Sequence, residues 1–448
     1  MGDAVESGVG RERLASRLGF LMLVAGCAVG LGNVWRFPFV VGKNGGAAFV
    51  VVYLLFLAVL GFPLLVAELS IGRGAGVGVT GALAKLAPKR LAGLWREIGR
   101  IVFFGNFLLM IYYTDVAGWL VKYTGGYLAG SSPTDGFDAA FASFVANRPS
   151  CAAYMLAVVV AATLTCCAGV VKGVERVTKV LMLSLLALLA VLVVKALALP
   201  GAAEGVSFYL KPDWAKFMEH PVSAVFDAMG QAFFTLSLGI GCMTIFGSYI
   251  GRGHSLVKES ACIIAIDTAV ALMAGLVIFP SCFTYGIEPS SGPGLIFVAL
   301  PAVFAQMPGG RFWGFFFFLF LSMAALTTVV AVFECIIGGL VDETGRSRRL
   351  VAPAVGAAVA IASLPCVLVD AVLKWEDFAV SQLWLPIGAL LQCLFVTLPI
   401  GWGWKRFREE ASAGDGPCMP DALRWHATFA IPVLVLAVVA AGLWTTFR

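Results

Sequence analysis

The stretch Ala25-Gly26-Cys27-Ala28-Val29-Gly30-Leu31-Gly32-Asn33-Val34-Trp35-Arg36-Phe37, followed by Pro38, lies inside an apolar segment long enough to cross a bilayer. Three glycines, an asparagine and an arginine interrupt it. A lipid-facing helix has no use for such a break, because the freed backbone groups find no water to bond. The stretch therefore reads as a helix broken at the bilayer midplane to bind something small. Half-helix termini at that depth can hold an anionic group and a cation side by side.

The rest of the chain agrees with a membrane setting. Of 448 residues, 60% are apolar and 13% charged, against about 25% charged in a soluble domain. Apolar runs recur, and eleven spans are expected, at about 15–40 (broken), 46–72, 93–125, 152–170, 176–199, 223–249 (broken), 259–286, 311–341, 350–370, 378–402 and 427–446. Lys and Arg crowd alternate connections, for example Arg73, Lys85, Lys89, Arg90, Arg96 and Arg100 in the second. The positive-inside rule then puts the N-terminus in the cytoplasm and, for an odd count, the C-terminus outside. A multi-pass protein of the inner (plasma) membrane is expected, with no cleaved signal peptide and no nucleic-acid partner for a net charge of +5. Eleven Cys form no C-x-x-C pair, and three scattered His (His220, His254, His426) offer no zinc or haem site. With no H-E-x-x-H or G-x-S-x-G either, an enzyme is not expected. The connection 287–310, punctuated by prolines, is expected to hold a short helix pair rather than a span.

The opening stretch has an echo. Val29-Gly30-Leu31-Gly32 and Leu238-Gly239-Ile240-Gly241 are near-copies, the second closing the run Gly230-Gln231-Ala232-Phe233-Phe234-Thr235-Leu236-Ser237-Leu238-Gly239-Ile240-Gly241 in the sixth span. Each begins a block of five spans, 11–199 and 223–402, with 427–446 left over as an eleventh helix. Because five is odd, the blocks have opposite orientations, the inverted-repeat plan of many secondary transporters. The whole chain is then one transmembrane domain.

At these residues the chain resembles the neurotransmitter:sodium symporter family, the group with the LeuT fold. The resemblance rests on Gly26 through Pro38, Asn44-Gly45-Gly46-Ala47-Ala48-Phe49, Pro63 with Glu68 and Gly72-Arg73, Gln231 through Gly239, and Leu326-Thr327-Thr328. It implies an all-α polytopic fold and Na+-driven uptake of amino acids or amines by alternating access. The chain looks like the shorter, eleven-span bacterial type. A monomer or weak oligomer is expected, with lipid, sodium and a small substrate as partners.

A zwitterion needs partners for both charges in a dry site. Free N–H groups at Leu31 and Gly32 suit a carboxylate, and Tyr113 matches the family tyrosine placed beside it. Carbonyls of Ala28, Phe234 and Thr235 and the Ser237 region match the ammonium positions. Gly30 stands where monoamine members carry an aspartate, so the substrate should bring its own carboxylate. The resemblance maps the side-chain pocket onto Leu109, Tyr113, Phe234, Ser237, Ile240, Thr328 and Val332. With no charged side chain there, a hydrophobic L-amino acid, aliphatic or aromatic, is expected.

The resemblance implies two sodium sites. One maps onto the Ala28 carbonyl, the Asn33 amide oxygen, Thr235, Asp267 and the substrate carboxylate. The other maps onto carbonyls of Gly26, Val29 and Ala324 with the hydroxyls of Thr327 and Thr328. Hard oxygen donors of this kind suit Na+. Asp267 departs from the usual asparagine, and Ala271 from the serine of chloride-dependent members, so the carboxylate is expected to stand in for chloride. Glu68 is expected to be a hydrogen-bonding hub, while Glu334 has no assigned role. Gates are expected from Arg36 with Asp377, and from Arg11 with Asp342 near Ser248 and Tyr249. The family's glycine-nine-proline pattern in the fifth span is half kept: Gly173 is present, but Leu183 replaces the proline. A non-transporting amino-acid sensor on the same fold is the alternative.

Overall fold

A computed structural model describes residues 14–447 except 132, 134–135 and 288–293. Among the described residues, nine continuous helices are long and apolar enough to cross a membrane, and the pair Arg17–Ala28 and Gly32–Lys43, bent by 52°, makes a tenth. The sixth span is split into Pro221–Thr235 and Cys242–Gly247 by the irregular residues 236–241. Neither half is long enough to cross alone, so the eleventh expected span appears as two short helices. The outer limits otherwise follow the apolar runs, from Ala47–Ala75 for the second span to Leu423–Leu443 for the last. Between the seventh and eighth spans one short helix is described, Leu295–Ala299 continuing through Leu300–Gln306. The rest of the expected pair falls on 288–293, outside the described residues.

The two breaks account for their own backbone groups, as a dry site requires. The first helix stops at Ala28. Val29 turns extended, and its N–H bonds the Ala25 carbonyl at 2.6 Å. The chain resumes through a π-helical turn, Gly32–Arg36. Carbonyls of Gly26, Cys27 and Val29 are left facing Thr328 of the eighth span. The Gly32 carbonyl accepts from Gln231 Nε2 at 2.8 Å, which ties one break to the other span. In the sixth span, Ser237 has φ 50°, and Gly239 and Gly241 have φ 92° and 78°. Only glycine enters that region cheaply, and a Cβ at Gly239 would overlap the Leu385 carbonyl of the tenth span. The freed Gly239 N–H donates to Glu68 Oε1 at 2.6 Å, and the Ile240 carbonyl accepts from Asn106 Nδ2 at 2.6 Å. Glu68, expected to be a hydrogen-bonding hub, makes the Gly239 bond with Oε1, while its Oε2 is buried with no hydrogen-bond partner among the described residues.

The broken helices sit at the centre. The first half of the first span packs on the fifth, seventh and eighth spans, and the eighth packs along the third. In its most apolar window the eighth span is 72% buried, against 28% for the fifth and eleventh. These outer spans turn Val191, Val194, Val433 and Leu436 outward, the face that lipid covers. The fifth span begins with Gly169 at φ 90° and a π-helical turn, Val170–Glu175. Leu183 itself is exposed on the outer face. The irregular backbone of this span therefore lies at its start and not near Leu183, about three turns further in.

Candidate substrate and ion site

A cavity of about 20 Å³ lies between the two breaks, lined by Cys27, Ala28, Gly30, Gly32, Leu109, Tyr113, Phe234, Ser237, Thr328 and Leu385. It holds about one water molecule. No charged side chain lines it. Seven of the expected substrate residues meet here: Ala28, Gly32, Leu109, Tyr113, Phe234, Ser237 and Thr328. Leu31 lies on the upper side, and its N–H donates to Tyr113 Oη at 3.0 Å. Two of the three groups expected to meet a carboxylate, the Leu31 N–H and Tyr113 Oη, are thus bonded to each other. Ile240 and Val332 are fully buried but off the lining, Ile240 facing the bare Gly105 near Trp384. Thr235 points away from the cavity, its Oγ1 donating to Asp267 Oδ2 at 3.0 Å.

Gly30 is fixed sterically as well as chemically. A Cβ there would lie 2.5 Å from Tyr113 Oη and 2.6 Å from Thr328 Oγ1. No real Cβ tolerates such contacts, so any side chain at 30 displaces two groups of the site.

Asn33, Thr235 and Asp267 form one buried network. Asn33 Nδ2 donates to Asp267 Oδ1 at 2.8 Å and to the Asp267 carbonyl at 3.1 Å. Asn33 Oδ1 accepts from Gly30 N at 3.3 Å. The amide nitrogen therefore faces the carboxylate, and the oxygen, the atom expected to meet sodium, accepts from Gly30 N. Ala28 contributes to the cavity wall beside this network. Thr328 Oγ1 has the carbonyls of Gly26, Cys27 and Val29 across the break, and that of Ala324 in its own helix, at 3.3–3.4 Å. One hydroxyl proton can serve one of the four, so the others concentrate partial negative charge. That donor set fits a hard cation. Thr327 Oγ1 instead donates back to the Ala324 carbonyl at 2.8 Å, the bond a helical threonine commonly makes.

Above the cavity, a cleft of about 340 Å³ reaches down to Phe234 and is lined by Leu31, Arg36, Tyr112, Asp227, Asp377 and neighbours. Arg36 stacks over the Phe234 ring, its guanidinium carbon 4.8 Å from the centroid. Arg36 and Asp377 share this cleft without an ion pair between them, and Arg36 Nη1 is buried with no hydrogen-bond partner among the described residues. At the rim, Lys43 and Asn44 both bond Asp227, at 3.1 and 3.0 Å.

The opposite, Lys/Arg-rich end is closed by several ties. Asp342 Oδ2 accepts from Gly78 N at 2.7 Å. Its expected partner Arg11 lies outside the described residues. Ser248 Oγ bonds the Ile245 carbonyl of its own helix. Glu175 accepts from Ala15 N at 2.8 Å and Ser16 Oγ at 3.0 Å, and Arg17 pairs with Glu259 at 2.7 Å. Glu334 finds its role here. It is fully buried and bound by Arg348 through both oxygens, at 2.5 and 2.7 Å, while Tyr249 Oη donates to it at 2.6 Å. One carboxylate thus joins the eighth span, the start of the ninth and the end of the sixth.

Sequence reasoning missed Arg348, Cys27 and Leu385. A basic residue at a span start, a cysteine and a leucine carry no signal of their own until packing brings them inward.

Known proteins share this plan. The sodium:neurotransmitter symporter family matches residues 11–153 and 140–447. The uncharacterized sodium-dependent transporter YhdH of Bacillus subtilis is 37% identical, over 95% of this chain and 96% of its own length. An uncharacterized sodium-dependent transporter of Haemophilus influenzae is 31% identical, over 97% of this chain and 98% of its own. The structure of MhsT in complex with L-phenylalanine superposes with a TM-score of 0.86 at 35% identity, covering 97% of this chain and all of that one. Two broken helices facing each other around an oxygen-lined break, and relatives matching from end to end, lead to one assignment: the chain belongs to the sodium:neurotransmitter symporter family, multi-pass membrane proteins that use Na+ in transport.

Proposed function

We propose that the chain is a Na+-coupled symporter that imports hydrophobic L-amino acids by alternating access and needs no chloride. The observation that carries the reading is the surroundings of Gly30. A bare position, with the Leu31 N–H and Tyr113 Oη meeting beside it, asks the substrate to supply a carboxylate. The uncharged lining favours an apolar side chain. The relative solved with L-phenylalanine supports the same class. An incoming side chain enlarges the small cavity by lifting Phe234 and, with it, the stacked Arg36. Arg36 and Asp377 then close over the substrate. Specificity of one methylene is worth only about 1–3 kcal/mol, so several apolar amino acids compete.

Two sodium ions are carried. One is held by Thr328 and the carbonyls of Gly26, Val29 and Ala324, with Thr327 turning its hydroxyl from the back-bond. The other lies among the Ala28 carbonyl, Asn33 Oδ1, Thr235 and Asp267. The substrate carboxylate completes that second set, so ion and substrate strengthen each other reciprocally. The two five-span blocks, 11–199 and 223–402, rock against each other with the N-terminus in the cytoplasm. Arg11 joins Asp342 in closing the inner side.

Asp267 supplies the negative charge that chloride brings to relatives, and Ala271, one turn on, offers no anion ligand. Replacing chloride by gluconate is therefore expected to leave Na+-driven uptake within about twofold, whereas Asp267→Asn lowers apparent Na+ affinity about tenfold or more, some 1.4 kcal/mol. A sharp fall of wild-type uptake in gluconate would overturn chloride independence.

A further inference from the structure

The connection between the tenth and eleventh spans folds into a short helix, Trp404–Ala411. It walls a cleft of about 850 Å³ at the Lys/Arg-rich end, far from the substrate cavity. Four cations line the cleft, Lys405, Arg406, Arg408 and Arg424, against two carboxylates, Glu409 and Asp421. Asp421 is already engaged, by Trp404 Nε1 at 2.7 Å and by Arg408 at 3.7 Å. Arg408 is further held by the Met419 carbonyl at 2.9 Å. Among the described residues, Lys405, Arg406 and Arg424 take part in no ion pair. Three cations outside any ion pair share the cleft with one such carboxylate, Glu409, and an anion relieves the remaining repulsion.

A second observation fixes the depth. Trp425, 71% exposed, stacks on Phe429, 57% exposed, with centroids 5.3 Å apart. On a membrane span this outward face meets lipid, and aromatic residues at a span end mark the headgroup level. Arg424 and the cleft lie immediately beyond the pair, at the depth of lipid phosphates. Under the orientation proposed above, this is the cytoplasmic leaflet, whose anionic lipids attract basic segments.

We propose that this cleft binds one anionic phospholipid. Its phosphodiester lies among Lys405, Arg406 and Arg424, and its first methylenes cover Trp425 and Phe429. The lipid thereby braces the short helix against the foot of the eleventh span. A soluble phosphate would use the cations alone and leave the aromatic pair idle, which is why the lipid is the favoured occupant.

The test uses the full chain, purified from nanodiscs of equimolar phosphatidylglycerol and phosphatidylcholine, with retained lipid counted by native mass spectrometry. Wild type is expected to retain phosphatidylglycerol at least about tenfold over phosphatidylcholine, since three cations at about fivefold each allow up to about a hundredfold. The variant Lys405→Gln/Arg406→Gln/Arg424→Gln should lose the preference. Arg346→Gln/Arg349→Gln, at exposed basic positions where the chain enters the ninth span, should keep it. If the triple variant fails to fold, as read from its melting temperature, Arg424→Glu alone should lower retention at least about fivefold. Undiminished retention in either cleft variant overturns the proposal. Displacement of the retained lipid by millimolar inorganic phosphate overturns it as well, in favour of a soluble anion.

Discussion

Replacing Gly30 by alanine is expected to weaken binding of a hydrophobic amino acid at least about a hundredfold, close to 2.7 kcal/mol. The new Cβ would lie 2.5 Å from Tyr113 Oη and 2.6 Å from Thr328 Oγ1. Neither group can give way cheaply. Tyr113 is packed at 2% exposure and accepts from Leu31 N, while Thr328 faces three carbonyls of the break and one of its own helix. Overpacking a filled core alone costs about 1–3 kcal/mol. Here the displaced groups are also those proposed to meet the carboxylate and one sodium, so substrate and ion affinity should fall together. Equilibrium binding of radiolabelled L-phenylalanine, measured at several Na+ concentrations, reads both. A dissociation constant within threefold of wild type would strip Gly30 of its proposed role.

The second large effect is expected at the other end of the molecule. Arg348→Ala leaves Glu334 buried with only Tyr249 as a partner, and breaking a buried pair from one side costs about 3–5 kcal/mol. The strain falls where the sixth, eighth and ninth spans meet, so it should favour the arrangement in which this end opens. Cys335, next to Glu334 and 2% exposed, reports that opening. Its labelling by a membrane-impermeant maleimide, followed peptide by peptide, should speed up at least about tenfold. The pair Glu334→Gln/Arg348→Met removes both charges and should restore much of the protection, because a neutral pair carries no ionic desolvation penalty. An unchanged labelling rate in Arg348→Ala would show that the ion pair holds nothing closed.

Much of this architecture is legible in the sequence because membranes punish irregular backbone. Spaced glycines serve helix packing as well, but their recurrence at corresponding places in the first and sixth spans points to breaks, and the breaks lie at 29–31 and 236–241. Gly30, Tyr113, Phe234 and Thr328 converge as expected for the same reason: each is a polar, bare or aromatic exception inside an apolar run. Other features leave no mark. Glu334 is visibly anomalous, but its partner Arg348 is reached only after the chain turns through Gly345, and linear spacing does not encode that return. Leu385 reaches the cavity because Gly239 and Gly388 let the sixth and tenth spans touch backbone to backbone. The family resemblance names the Asn33 amide oxygen but not the bond of its nitrogen to Asp267, which arises because a carboxylate draws the donor end of an amide. The apolar count of spans falls one short at the sixth because the same break that makes the site shortens the helix.

Uptake of radiolabelled L-phenylalanine into proteoliposomes, with an inward Na+ gradient against choline on both sides, tests Na+-coupled import most directly. A symporter of this kind should accumulate the amino acid above its external concentration, at least about tenfold over the choline level. Dissipating the Na+ gradient should abolish the accumulation, and other apolar amino acids should compete with it. Equal uptake in choline, or Na+-dependent binding without accumulation, would contradict it.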